Sequence, residues 1–405
     1  MSQSVSPPVP GMIVQSDGSV KMSRACKLTL FALALGSFSI GTSEFASMGI
    51  IQLFSSSLGI TVPQAANAIT AYAIGVVIGA PLITLAAARL NRRTVLLGLM
   101  GLFVFGNLLS AAATSLGLLA VARFISGLPQ GAYFGAGAVV ASYVVGAGHA
   151  GKAFAIVMTG LTIATILGSP LATFLGQTFG WRETYLAVAL LSAVAFLAIY
   201  LWVPRTASLD GVPLVQELSS LRKGGVWGMM LVAAIGVGSI FAVYTFIGPI
   251  VTDVARLGAG VIPLALAVFG LGMTAGNLVG GRMADVHPAR GIVAGYGSAL
   301  VVLAILALWG GNIWVLFPAL FGVGAAMMAA IPTIQVRLTR LAPEAPSLMG
   351  SMNLASLNLA NAIGAWAGSL AIAGGLGALS AAWAGFGLTL LGLGIFLAGS
   401  RRRTG

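Results

Sequence analysis

Two charged residues stand where charge is costly. Glu44 lies inside the apolar stretch 28–51, LTLFALALGSFSIGTSEFASMGII, 17 residues after Lys27. At helical rise this spacing puts its carboxylate roughly 25 Å along a hydrocarbon layer about 30 Å thick. Arg123 stands within a second apolar stretch, near its outer end. A charged side chain deep in a bilayer costs on the order of 3 kcal/mol even on the mildest scales, so an intramembrane acid points to proton or ion handling. Burial disfavours a carboxylate's charged form and a nearby cation favours it, so Glu44 can take up and release a proton as its surroundings change. The alternative is a protonated Glu44 that hydrogen-bonds a neighbouring helix and only holds the bundle together. No other acid falls within the apolar runs of residues 28–203. A pairing of Glu44 with Arg123, direct or through water, is therefore the economical expectation. Snorkelling of Arg123 to the interface is the competing one.

The rest of the chain supports a membrane setting. Of 405 residues, 58% are hydrophobic and only 7% charged, against roughly 25% charged in soluble domains. The mean hydropathy is +1.03. The single cysteine, Cys26, excludes an intrachain disulfide and a cysteine-based metal cluster. His149 and His287 fall between apolar runs, and Asp253 and Asp285 at the ends of runs. No paired-Asp, Ser/His or phosphate-cradling arrangement appears, so a membrane enzyme is a remote alternative, and neither a cofactor nor a metal is expected.

Apolar runs occur at 28–51, 65–88, 94–114, 118–145, 153–179 and 185–203. Six more lie at about 226–251, 261–284, 292–309, 313–335, 348–374 and 376–398. They predict an all-α integral membrane protein with twelve transmembrane helices. Residues 1–26 read as a disordered cytoplasmic N-terminus, 27–203 as one six-helix half and 204–225 as a cytoplasmic linker. The second half covers 226–399, and 400–405 form a basic tail. With a cytoplasmic N-terminus, 17 of the 20 Lys and Arg fall on the inner side. Only Arg182 and Arg256 fall outside, and Arg123 within a helix. This split supports an even helix count with both termini inside. The net charge of +12 is thereby a topology signal, and nucleic-acid binding is not expected.

The six-plus-six division suggests an internal repeat. At an offset of 197, Gly41, Gly75, Gly79, Arg93 and Gly98 fall on Gly238, Gly272, Gly276, Arg290 and Gly295. Chance matches roughly one glycine in such windows, and four match without a gap. Two related halves are what a transporter rocking around a central site requires.

Several motifs carry a family resemblance. GAPLITLAAARLNRR after the second run resembles the loop signature of the major facilitator superfamily through Arg89, Arg92 and Arg93, although its acid is replaced by Ala88. The copy GNLVGGRMADVHPAR keeps the acid as Asp285 and closes on Arg290. A carboxylate beside cationic loops can latch the cytoplasmic ends of the halves; ordinary topology charge explains Arg92 and Arg93 equally well. ARFISGLPQGAYFG resembles the family's fourth-helix motif, and Gly127, Gly131 and Gly135 form a stripe for close helix contact. GLTIATILGSPLATFLG, with Gly160, Gly168 and Pro170, loosely resembles the antiporter motif. GTSEFASMGI, LGQTFGWRETY and NLANAIGA are similar to arabinose-efflux and chloramphenicol-efflux-like permeases of the 12-helix drug:proton antiporter group. The usual Pro-Asp after the first helix is Gln52-Leu53 here.

The resemblance implies proton-coupled efflux of a small organic solute or drug across a bacterial inner membrane, by a lipid-embedded monomer. A sugar exporter or an uncoupled facilitator on the same fold is the alternative. Expected substrate-cavity residues are Gln130, Tyr133, Phe241, Tyr244, Thr245, Asn353, Asn358 and Asn361. Asn358 and Asn361 share a helix face. Each could equally be a helix-packing hydrogen bond or a core aromatic.

Overall fold

Ser23 starts the first membrane helix. Its hydroxyl accepts from the amide of Cys26 at 3.1 Å, satisfying one of the donors that a helix start leaves open. The computed structural model describes residues 12–14, 20–145, 150–209, 222–343 and 346–401. A short antiparallel ribbon, Met12–Val14 with Val20–Met22, precedes the helices. The stretch expected to be disordered thus holds this ribbon and the opening turn of a helix.

The first half contains α1 (Arg24–Gly49), α2 (Val62–Ala86) and α3 (Arg92–Ala112). Next come α4 (Leu116–Gly127 and Gln130–Val145), α5 (Ala150–Ile163, a π turn Ala164–Gly168, then Ser169–Phe179) and α6 (Trp181–Trp202). A short helix, Ile51–Ser57, follows α1. The second half contains α7 (Gly224–Gly236 and Gly238–Tyr244), α8 (Ile262–Val286) and α9 (Pro288–Trp309). It closes with α10 (Ile313–Leu341), α11 (Pro346–Ala371) and α12 (Ser380–Arg401). Among the described residues, 11 helices are each long and apolar enough to cross a bilayer. The twelfth span is α4, whose two pieces are each too short alone. Pro129 sits at its break, where a missing N–H and the ring's bulk interrupt an α-helix. In α5 the π turn immediately precedes Ser169-Pro170 and absorbs the same problem without ending the helix.

Capping residues mark several of the other starts. Thr61 and Gln64 form a reciprocal capping box on α2. Asn91, Ser115 and Asn312 accept from the first-turn amides of α3, α4 and α10. Leu82, Leu171, Leu190 and Val301 point outward, the lipid-facing side of a membrane bundle.

The halves repeat contact by contact. In the first, α2 packs on α4, α1 on α5 and α3 on α6; in the second, α8 packs on α10, α7 on α11 and α9 on α12. Between the halves, α2 meets α11 and α5 meets α8, which is one contact seen twice under the repeat. A Cβ built on Gly75 would meet the Phe124 carbonyl at 2.2 Å, and one on Gly272 the Phe321 carbonyl at 2.1 Å. Gly79 meets the Leu128 carbonyl at 2.2 Å and Gly276 the Ala325 carbonyl at 2.0 Å. Every member of the second pair stands 197 residues after its mate. Backbone cannot yield as a side chain can, so Gly75→Ala is expected to lower stability by about 1–3 kcal/mol. Thermal unfolding in detergent checks this; an unchanged midpoint would contradict the close approach.

Apolar packing is distributed unevenly along the bundle. At the end away from the basic loops, Phe45, Met48, Ile51 and Phe54 of the first half join Phe241, Tyr244, Phe246 and Phe269 in one core. At the basic end, a separate core built around Leu33, Val140, Val157 and Ile199 belongs to the first half. The halves are fused at one end and parted at the other.

Candidate functional site

Glu44 lies in the last third of α1, 5% exposed. Gln130 of α4 donates from Nε2 to its Oε2 at 3.0 Å, and Asn361 of α11 donates from Nδ2 to its Oε1 at 3.1 Å. Tyr72 of α2 donates from its hydroxyl to Gln130 Oε1 at 2.6 Å. That bond orients the Gln130 amide so that its N–H faces the acid. Both carboxylate oxygens thus accept from amide N–H groups, an arrangement that suits the ionised form.

Arg123 is 1% exposed and does not reach Glu44 directly. Its Nη1 donates to Ser43 Oγ at 2.9 Å and its Nη2 to the Ser43 carbonyl at 3.1 Å. Ser43 donates from its own hydroxyl to Asn107 Oδ1 at 2.7 Å. The guanidinium lies 4.4 Å from the Tyr72 ring centroid and 5.3 Å from that of Tyr185. Tyr185 donates to Ser47 Oγ at 3.1 Å. The direct Glu44–Arg123 pairing is therefore not formed: Tyr72 and Gln130 stand between the two, while Arg123 holds the residue before the acid. Helical rotation is the reason. Neighbouring residues differ by about 100° around the axis, so Ser43 and Glu44 face different partners. Snorkelling is not seen, because the charged head is enclosed by two aromatic rings.

The repeat shows how one-sided this network is. Glu44, Arg123, Gln130 and Tyr72 correspond at the 197 offset to Phe241, Leu320, Met327 and Phe269. The second half fills the equivalent positions with apolar side chains. Asn361, by contrast, corresponds to Ala164.

A cavity of about 820 Å³ opens between the halves toward the basic end. Phe134, Met158 and Thr162 line it from the first half, and Asn277, Gln335 and Asn353 from the second. Among the described residues, the lining contains no charged side chain. Of the eight residues expected to face substrate, only Asn353 lines it. Tyr133 donates to the Leu33 carbonyl at 2.8 Å, Tyr244 to Ser169 Oγ at 3.0 Å and Asn358 to the Leu354 carbonyl at 3.1 Å. Phe241 and Thr245 are buried in packing, and Gln130 and Asn361 belong to Glu44. The sequence reading missed the lining threonines. Their signal was the spacing of Thr159 with Thr162 and of Thr274 with Asn277, three apart on single helix faces.

Gly135 also corrects an expectation. It faces the cavity, and its nearest neighbour, Ser351 Oγ, is 4.0 Å from a built Cβ. The rest of its stripe packs tightly, Gly127 against the Tyr72 carbonyl at 2.1 Å and Gly131 against Ala80 Cβ at 2.2 Å. Gly160 and Gly168 press on Ala34 and Thr42 of α1, and Pro170 is buried beside them. Gly135→Phe is expected to fold normally and to cut transport on the order of tenfold, since a ring there takes up space meant for ligand. Purified yield and solute flux measured together check it.

At the basic loops, Arg92 donates from Nη1 and Nη2 to the Ala87 and Ala88 carbonyls at 3.3 Å each. Arg93 bonds the Tyr200 carbonyl of α6. Both tie down their own half, and Arg89 and Arg290 are exposed. The Asp285 side chain, expected to close the latch, lies outside the described residues. Toward the opposite end, hydrogen bonds cross between the halves. Gln52 Nε2 donates to Thr252 Oγ1 at 2.9 Å, Gln177 Nε2 to the Ala259 carbonyl at 2.7 Å and Ser369 Oγ to the Pro63 carbonyl at 2.8 Å. Gln52, at the position where the resemblance expects Pro-Asp, is thus part of this closure, through a Thr252 hydroxyl that in turn donates to Asp253 Oδ1 at 2.7 Å.

Residues 33–365 match the profile of the Major Facilitator Superfamily. The chain belongs to that superfamily. It is similar to the Inner membrane transport protein YdhP of Escherichia coli, with 36% identity over 349 residues, covering 86% of this chain and 90% of the relative. It is also 34% identical over 354 residues to the Chloramphenicol resistance protein of Streptomyces lividans, covering 86% and 89%. Among solved structures, a bacterial homolog of the human lysosomal transporter Spinster, inward-facing and occupied, superposes with a TM-score of 0.75 at 14% identity, covering 94% of this chain and 98% of that one. The superfamily member described here is a multi-pass membrane transporter and not an enzyme.

Proposed function

We propose that this transporter exports a small organic solute in exchange for protons by alternating access, with Glu44 carrying the proton. The observation that carries the reading is the position of Glu44. It is an enclosed carboxylate above a cavity open to one side, bonded to both halves that must move against each other. The positive-inside rule makes the basic end cytoplasmic. The described arrangement is then the inward-open one, with a monomer poised to receive solute from the cytoplasm of a bacterial inner membrane. Arg123 steadies the loaded and empty forms of the acid's segment through Ser43.

The chemistry follows from desolvation. Closure around an ionised Glu44 without a ligand is unfavourable, whereas a protonated one closes cheaply. Solute binding favours the ionised acid and sends its proton inward; uptake of a proton on the outer side releases the solute there. The relative named for chloramphenicol resistance supports the direction of export. The uncharged, hydrogen-bonding cavity lining keeps a neutral solute, including a sugar, as a second reading.

A susceptibility panel on cells overproducing the protein, run with and without a proton uncoupler, tests the proposal. Protection against at least one compound that vanishes with uncoupler is the expected result. Protection that persists with uncoupler would leave facilitation in place of antiport.

A further inference from the structure

We propose that Asn361 is a positioning residue that clasps the empty, deprotonated carrier in its inward-open form and so prevents it from crossing unloaded. The inference rests on the antiport reading and adds a part to it. An exchanger has to suppress crossing when it holds neither proton nor solute, because empty crossings let each move without the other. Some interaction must therefore exist in that state and weaken in the loaded ones.

Asn361 is placed to supply it. It reaches across from α11 of the second half and donates to Glu44 of the first at 3.1 Å, with both side chains enclosed. Gln130 bonds the other carboxylate oxygen, but from the same half as Glu44, and so resists no movement between halves. The bond lies toward the end that must open when the transporter turns outward, beyond the closed end of the cavity. It depends on charge. An ionised Glu44 accepts from both amides at once; protonation turns one oxygen into a donor facing an N–H that cannot accept. The amide must then rotate, and the charge-assisted bond becomes a neutral one of about half the strength.

The same side chain has an acceptor to spare. Asn361 Oδ1 is buried and has no hydrogen-bond partner. Leu354 and Leu357, which line the cavity, stand below it on its own helix face, seven and four residues back. A solute donor arriving from the cavity has an acceptor on the very amide that holds the halves together. Around Glu44 the titratable and charged groups are Tyr72 on α2, Arg123 on α4, Tyr185 on α6 and Tyr244 on α7. Tyr72, Tyr185 and Tyr244 each occupy their hydroxyl in another bond. The repeat leaves the mate of Asn361 as Ala164, so alanine is accommodated at the equivalent point of the fold.

The test needs no identified solute. Spin labels at Leu90→Cys and Val286→Cys, exposed residues of the two halves at the basic end, report opening of the mouth in the full-length protein with Cys26→Ser. In the same proteoliposomes, a trapped pH dye reports proton passage down an imposed pH gradient. The parent protein is expected to populate the long distance at high pH and to lose it on acidification, with little proton passage in the absence of solute. Asn361→Ala is expected to flatten that pH response and raise solute-free proton passage on the order of tenfold, the scale of one hydrogen bond to a charged group. Gln130→Ala is expected to move the midpoint and keep the response. Asn361→Asp preserves side-chain size and serves if the alanine variant fails to fold; two facing carboxylates should close the mouth at high pH. If Asn361→Ala and Asn361→Asp keep the parent's pH response and tightness, the clasp is wrong while antiport stands. If the parent itself responds to pH no more than Glu44→Gln does, titration of Glu44 fails, and the clasp with it.

Discussion

Glu44→Gln is expected to abolish proton-driven solute transport while leaving solute-for-solute exchange measurable. Glutamine has the size of glutamate and an oxygen for one of the two amide donors, Gln130 or Asn361. Its own NH₂ faces the other donor, so it resembles the protonated acid in charge but cannot give up a proton. The carrier then cycles with solute, or empty, but never returns by unloading a proton. Coupling free energies between linked sites are typically about 1–3 kcal/mol, so the uphill component should fall by roughly 5–150-fold. Imposing a pH gradient across vesicles separates the two activities, since counterflow needs no gradient. Efflux in the variant that still follows the gradient as it does in the parent would remove Glu44 from the coupling mechanism.

Arg123→Ala is expected to be the most destabilising single change in the first half. The guanidinium fills the space between Tyr72 and Tyr185 and gives two donors to Ser43. Truncation leaves a void and takes both donors from the segment carrying Glu44. Leaving buried acceptors without their donors costs about 1–3 kcal/mol each, and the void adds to it. Arg123→Lys keeps the charge but reaches Ser43 through a single nitrogen and loses the flat stacking surface. It should fold and transport poorly. Thermal unfolding in detergent, paired with flux, distinguishes the variants; an alanine variant as stable as the parent would show that the site closes around the gap.

Much of the architecture was legible because lipid imposes rules on sequence. A span must be long and apolar, and the basic residues between spans alternate by side; together these point to twelve helices and to their division in two. The 197-residue offset was visible in glycines because two backbones in contact tolerate nothing larger at Gly75, Gly79 and their mates. The break in α4 was not read, since Pro129 lies inside an otherwise continuous apolar run. Glu44 and Arg123 stood out by the cost of their charge, but their partners did not. Which of Ser43 and Glu44 meets Arg123 depends on helix rotation, and Asn361 reaches Glu44 across 317 residues of chain. The cavity was harder still. Its lining threonines are common in membrane helices, whereas the larger polar residues that drew attention are spent on bonds within the bundle.

The one-sidedness of the polar network has an energetic corollary. Glu44 is the single carboxylate deep within an apolar span of this sequence, and its mate in the repeat is Phe241. Under the proposed antiport, a carrier with one such group would exchange one proton per turnover. Exchange of a neutral molecule for that proton moves one net charge inward, so membrane voltage as well as acidity drives it. Exchange of a monovalent cation would be electrically silent and respond to acidity alone. The steepest solute gradient the protein can build is then tenfold for each 59 mV of driving force. Comparing export under voltage alone with export under a pH difference alone would therefore reveal the charge of the cargo before its identity is known.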